Sequence, residues 1–302
     1  MLMLLSHVAV AVASGILVMI FSYESAKVQP CLQHKSSKCE LPHHTVTSVS
    51  DDQIKLSEFT YENQKRERLP SVSMSTLIAR FNPEWPCFWG ERVTGRLSTY
   101  LNGVKPFGKR FGDGWKFTCG IHLLKTPCVV YSLGSAGNMD FEAAVLEINP
   151  NCEIHIFDKG AYGIEHWFPL LSARKHVHFH KMFIASTNNF DVDPPQRSLS
   201  SITNELGHNH IDILKIDVEG AEYQIFSEHI PLSIGQLQLE VHTGRSFKVD
   251  VGKLTGLVKN IESCGLRMFH KEVNVKYNTD AVEFAFIQNN WQPSTRNYSF
   301  CL

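Results

Sequence analysis

Three short stretches carry side chains whose types and spacing could do chemistry. VYSLGSAGNMDFEAAV (130–145) runs from an apolar segment through Gly134 and Gly137 into a pattern that restarts as a helix. Glycine at the end of a strand lets a backbone approach a ligand closely. Asp140 and Glu142 then fall in the first helical turn, and with no lysine nearby they would repel a bare phosphate. The stretch matches neither G-x-G-x-x-G nor a loop ending in G-K-[ST]. It suits a nucleoside-type ligand with a cationic end. CEIHIFDKG (152–160) places Asp158 about 20 residues on, where an acid accepts hydrogen bonds from ribose hydroxyls. The plainer reading of Asp158 is a turn or capping residue. IDILKIDVEGAEY (211–223) sets Lys215, Asp217 and Glu219 at alternate positions, and GQLQLEVH (235–242) ends in His242. Charges entering a buried sheet are costly unless paired or functional. A Lys215–Asp217 ion pair would satisfy the first demand, whereas the position of Asp217 and Glu219 at a strand end fits the second.

The elements that must position these residues can be read from periodicity. From residue 127 onward, apolar runs alternate with amphipathic stretches. Strands are expected over 128–134, 152–160, 176–185, 211–220 and 235–242. Helices are expected over 139–150, 198–208, 221–226 and 251–265. LRMFHKEVN and AVEFAFIQ read as a closing antiparallel pair. This order predicts an α/β fold with a doubly wound, mostly parallel sheet, an antiparallel C-terminal edge, and ligands at the C-terminal ends of the strands. His176, His178 and His180 alternate along one strand. Three imidazoles on one face could take a metal, but the reading adopted is a solvated face with Val177 and Phe179 packed inward.

The flanking regions set the context. The 302 residues carry 29 Lys+Arg against 30 Asp+Glu, so nothing favours nucleic acid as a partner. Residues 1–21 contain no charged side chain and reach the roughly 20 residues a membrane helix needs. They read as a signal-anchor, with a cleaved signal peptide as the alternative, and thus as a single-pass membrane or secreted protein of the secretory pathway. Residues 22–80 read as a largely disordered stem, with YENQKRERL (61–69) a solvated charge run. Residues 81–126, rich in glycine and aromatics, read as a cap, and 127–302 as the main domain. Eight cysteines without a CxxC pair behind such a leader fit disulfides, with Cys128 and Cys152 matching buried free thiols. Asn297-Tyr298-Ser299 is an N-glycosylation pattern.

VYSLGSAGNMDFE, IFDKG, DILKIDVEGAE and QLEVH together resemble the S-adenosylmethionine-dependent methyltransferases of the FkbM-type and methyltransferase-like group. The resemblance covers about residues 85–290. It implies a class I methyltransferase (Rossmann-like) fold with S-adenosyl-L-methionine as cofactor. Gly134, Ser135, Gly137, Asn138 and Glu142 would lie about its amino acid end, with Asp158 on the ribose. Methyl transfer to a hydroxyl also needs a base, for which Asp217, Glu219 and His242 are the candidates. Such a trio could instead hold a divalent metal, a reading that is not adopted. The expected activity is O-methylation of an acceptor such as a glycan. The rival is a catalytically inactive relative serving as a binding module. A dinucleotide-dependent oxidoreductase is disfavoured by the missing fingerprint.

Overall fold

The computed structural model describes residues 49–65, 73–83, 85–89, 91–94, 116–160, 175–227, 232–244, 247–274 and 280–293. All of these belong to one compact unit, Thr45–Leu302. The leader at 1–21 and the sequon at Asn297 lie outside the described residues, and among those described no helix is long and apolar enough to cross a membrane.

The core is a seven-stranded sheet. In chain order its strands are β3 (Val129–Leu133), β4 (Glu153–Asp158), β5 (Val177–Lys181), β8 (His210–Ile216), β9 (Ser233–His242), β10 (Leu266–Val273) and β11 (Ala281–Gln288). Across the sheet they run β10-β11-β9-β8-β3-β4-β5. The five strands from β9 to β5 are parallel. β11 inserts antiparallel between β9 and β10. This is the expected class I arrangement, with the chain reversing at β11. Every residue of β8 and β9 is buried, as expected for central strands covered on both faces. Alternate side chains feed two apolar clusters. Tyr131, Leu133, Leu214, Ile216 and Leu239 join one. Val130, Ile154, Ile213 and Ile287 join the other.

Local chemistry explains the helices between strands. α3 (Asp140–Ile148) follows the glycine turn. α4 (Leu199–Leu206) starts where Ser198 accepts from the Ser201 amide and stops at Gly207. α5 (Glu222–Ile225) is a single turn. α6 (Val251–Ser263) is capped by Asp250, which accepts from the Lys253 amide at 2.7 Å, and it buries Leu254, Leu257, Val258 and Ile261 at helical spacing.

Several expectations are corrected. The segment expected to be a stem contains α1 (Asp51–Lys65) and α2 (Met74–Arg80). Tyr61, at the start of the supposed charge run, is fully buried. Its hydroxyl donates to Glu262 on α6, and the Arg267 guanidinium lies 5.3 Å from its ring centroid. Glu58 also pairs with Arg267. An aromatic ring amid charges is enough to dock a polar helix, and polarity alone did not show that. Residues 176–185 split, because after β5 the chain leaves the main sheet as β6 (Phe183–Ala185) to pair with β7 (Gln196–Ser198). Cys128 and Cys152 are not free thiols. They immediately precede the neighbouring strands β3 and β4, which brings their Cα atoms to 4.5 Å, and they form a disulfide. Cys87 and Cys119 form another.

The cap contributes β1 (Glu91–Thr94), antiparallel to β2 (Lys116–Cys119). β2 lies over β9 through side-chain bonds. Gln236 brackets Cys119, accepting from its amide at 2.8 Å and donating to its carbonyl at 2.6 Å. Gln238 donates to the Phe117 carbonyl at 3.2 Å. The next step of this ladder places Lys116 over Glu240.

Candidate active site

The glycine turn is built differently from expectation. Gly134 has φ +79°, and a Cβ there would stand 1.7 Å from the Asp217 carbonyl oxygen. The glycine is therefore required by the close approach of the β3 and β8 strand ends. The Asp217 amide donates to Leu133 and the Gly134 amide to Phe157, at 2.9 and 2.8 Å. Lys215 braces the same turn, donating to the Gly134 carbonyl at 2.6 Å, so it does not serve mainly as the ion-pair partner of Asp217.

Asp158 holds the turn from the other side. Its Oδ2 accepts from the Ser135 and Ala136 amides at 2.8 and 2.7 Å, and its Oδ1 from the Gly160 amide at 2.8 Å. The turn role weighed for this residue is what the contacts describe. The two amides occupy both lone pairs of Oδ2, whereas Oδ1 keeps one that a ribose hydroxyl could use. Ser135 Oγ accepts from the Gly137 amide at 3.3 Å, and Asn138 Oδ1 from the Asp140 amide at 3.0 Å, starting α3. Glu142 stands apart. It is fully buried, and neither carboxylate oxygen has a hydrogen-bond partner among the described residues. A buried carboxylate without a donor is costly, so this position is suited to a ligand that brings one.

On the other half of the sheet the strand ends carry a row of acids. Register pairs Glu272 with Glu283 and Glu283 with Glu240 across β10, β11 and β9. Asp217 continues the row just beyond β8. Like charges directly opposite one another repel. Lys116 sits among them, bonded to Glu283 and standing 3.2 Å from Glu240 and 3.8 Å from Asp217. Burial opposes its positive charge, but Glu283, Asp217 and Glu240 hold it protonated well above the usual lysine range. Burial, reinforced by Glu283 and Asp217 against Lys116, pushes the Glu240 carboxyl up to about 10, so it carries a proton at neutral pH. Burial likewise raises Glu272. Burial would also raise Asp217, yet Lys116 and Lys215 outweigh it and its carboxyl lies below the ordinary range.

His242 closes the row. Its Nδ1 faces Glu222 Oε1 at 2.9 Å, and its Nε2 lies 3.5 Å from Glu219 Oε2. Burial would lower its pKa, but the Glu222 hydrogen bond and the charges of Glu222, Asp217 and Glu219 raise it. Glu222 is fully buried and its second oxygen is unpartnered. Glu219 is exposed and sits at φ +54°, a left-handed conformation uncommon for a residue with a side chain. Asp217, Glu240 and His242 offer ligand atoms within 4.8 Å of one another, a spacing a metal could use. The Lys116 ammonium already supplies positive charge to two of the three.

The expected trio of Asp217, Glu219 and His242 is thus brought to one edge. Lys116, Glu222, Glu240 and Glu283 are equally part of it and were not singled out from sequence. One signal for them was present. Gln236, Gln238, Glu240 and His242 alternate through a strand that is otherwise apolar, which places four polar groups on one face.

The methyltransferase domain family matches residues 60–288. Probable methyltransferase-like protein 24 of Homo sapiens is 30% identical over 186 residues, 55% of this chain and 48% of the relative. Its counterpart from Rattus norvegicus is 31% identical over 167 residues, 49% of this chain and 44% of the relative. The chain therefore spans about half the length of the curated relatives it matches. A solved fibrillarin of Aeropyrum pernix with bound S-adenosyl-L-methionine aligns at 12% identity and a TM-score of 0.38, covering 65% of this chain and 88% of the other. The chain belongs to the methyltransferase domain family.

Proposed function

We propose that this member of the methyltransferase domain family binds S-adenosyl-L-methionine beside the glycine turn and methylates a hydroxyl group of a secretory-pathway acceptor, such as a glycan. The observation that carries the reading is Glu142, a carboxylate with both oxygens buried and unpartnered in the helix that follows the turn. The cofactor carries an ammonium, a sulfonium and ribose hydroxyls. These are donors or positive charges that such a carboxylate, with Asp158 and the backbone of Ser135, Gly137 and Asn138, is suited to meet.

When bound, the cofactor would supply an activated methyl group on a sulfonium, with a neutral thioether as the leaving group. The acceptor oxygen forms the new C–O bond and must lose its proton. His242 Nε2 takes that proton. Glu222 holds the ring through Nδ1, which leaves the lone pair on Nε2, on the Glu219 side, the same logic by which a carboxylate orients a catalytic histidine elsewhere. Asp217 stays ionised and, with Glu219, stabilises the imidazolium that results. This role requires His242 to be neutral at the start, so turnover rises as pH climbs through its raised pKa.

The secretory location rests on the charge-free residues 1–21, read as a signal-anchor. It is supported by the disulfides at Cys87–Cys119 and Cys128–Cys152, which persist in oxidising compartments. Glycosidase sensitivity at Asn297 tests it.

Calorimetric titration with S-adenosyl-L-methionine tests the core of the reading. Saturable binding by the full chain is expected, with affinity at least about tenfold weaker in Glu142→Gln, the loss of one charge-assisted contact. A chain that does not bind the cofactor would instead be a silent relative acting as a binding module. Mass spectrometry of methylated glycans from cells with and without the protein tests the acceptor.

A further inference from the structure

At the opposite, N-terminal half of β3, β4 and β5 the structure gathers a second set of ligating groups. Register places Tyr131, His155 and His178 in one row, and Leu133, Phe157 and His180 in the next. His155 is buried, with its Nδ1 3.0 Å from His180 Nε2 and its Nε2 3.1 Å from Glu153 Oε1. His178 Nε2 reaches the same Glu153 oxygen at 3.6 Å. His208, just after α4, lies over this face with its ring centroid 5.1 Å from that of His155, and its Nδ1 is 2.8 Å from the Tyr131 hydroxyl. Glu153, His155 and His208 each offer a ligand atom within 4.8 Å of the others.

We propose that Glu153, His155 and His208 form a binding site for a late divalent transition metal, Zn²⁺ being the best match, with His178 beside the remaining position. The donor set decides the class of ion. Two imidazoles and one carboxylate suit Zn²⁺, whereas Mg²⁺ and Ca²⁺ require oxygen ligands throughout. Each histidine already has what a metal-bound imidazole needs on its other nitrogen. His155 can donate from Nδ1 to His180, and His208 from Nδ1 to the Tyr131 oxygen, which leaves both Nε2 atoms for the metal. Glu153 is partly exposed and provides the route of entry. The site is distinct from the methyl-transfer edge. His155 and Asp158 are three residues apart on one strand, about 10 Å. The ion would tie β4, next to the edge strand β5, to the chain after α4, so its role is structural.

The sequence pattern pointed elsewhere. His176 is exposed and precedes β5, and His178 and His180 surround the donor set without supplying its core. The test titrates the metal-stripped full chain with ZnCl₂ in a non-chelating buffer. One equivalent is expected to bind, with affinity reduced at least about tenfold in both His208→Gln and Glu153→Gln. Asp217→Asn should bind as wild type does, which separates this site from the acids at the other edge. Far-UV circular dichroism without metal checks each fold. The two positions lie on different elements, so either variant alone carries the test. Co²⁺ in place of Zn²⁺ should give a four-coordinate visible spectrum in wild type. No stoichiometric Zn²⁺ uptake, or uptake unchanged in both variants, would overturn the proposal.

Discussion

The two halves of the sheet's C-terminal edge solve the same problem in opposite ways. At the glycine turn, Asp158, Lys215 and the backbone of residues 134–138 satisfy one another, and only Glu142 is left over. At the acid row, Asp217, Glu240, Glu283 and Glu272 are crowded together and depend chiefly on the Lys116 ammonium and on a proton held by Glu240. The first half is a preorganised frame. The second stores electrostatic tension that a reaction can use, at the cost of depending on single residues.

Breaking that dependence should give the largest effect. Lys116→Met removes the ammonium bonded to Glu283 and standing beside Glu240 and Asp217, and about 3–5 kcal/mol of stability should be lost, read from the urea midpoint at pH 7. Glu240→Gln is the counterpart. Because Glu240 is raised to about 10 when folded, the folded chain holds a proton there that the unfolded chain releases above its ordinary value of 4.5. Wild-type stability therefore falls as pH climbs from that value towards 10, and the glutamine variant should flatten that decline. If both variants melt like wild type at every pH, the row carries no tension.

On the frame side the equivalent break is steric. Gly134→Ala drives a methyl group into the Asp217 carbonyl at positive φ, and a loss of about 3 kcal/mol is expected. Gly207→Ala is the control. It has φ +72° but open space, and should lose about 1–2 kcal/mol. Equal losses would mean that conformation, and not the β3–β8 approach, fixes Gly134.

The third test concerns His242, which links row and chemistry. Glu222→Gln removes the strongest influence raising its pKa, so the imidazole titration followed by NMR should move down. The acid limb of turnover should move with it, to lower pH. A titration that stays in place would remove Glu222 as the residue that positions His242.

The contrast also separates what the sequence showed from what it hid. The frame was legible because it is local. A strand, a turn with Gly134 and Gly137, a helix and Asp158 fall within 30 residues, and periodicity registers such segments. Even so, the reason for Gly134 was misread, since Asp217 is distant in sequence. The acid row draws on positions 116, 217, 240, 272 and 283, five separate elements that meet only through sheet order and the docking of β2. Pairing of that range has no local signature, and neither had the Cys128–Cys152 bridge. α1 was missed for a related reason, because its fit depends on one tyrosine packing against α6 and β10.

The smallest expected effect compares two strained residues, one in each half. Ala136 in the turn and Glu219 beside His242 both have positive φ, +46° and +54°. A left-handed residue with a side chain costs about 1–2 kcal/mol, and glycine removes that while giving back about 0.5–1 kcal/mol in unfolded-chain entropy. Ala136→Gly and Glu219→Gly should therefore each stabilise the fold by up to about 1 kcal/mol, seen as a small rise in melting temperature. They should differ at His242. The Glu219 carboxylate helps raise the imidazole pKa from 3.5 Å away, so only Glu219→Gly should lower it. If the two variants gain stability alike and His242 titrates the same in both, the strain at Glu219 is incidental. If only Glu219→Gly moves the titration, the fold accepts that backbone cost to keep a carboxylate beside the base.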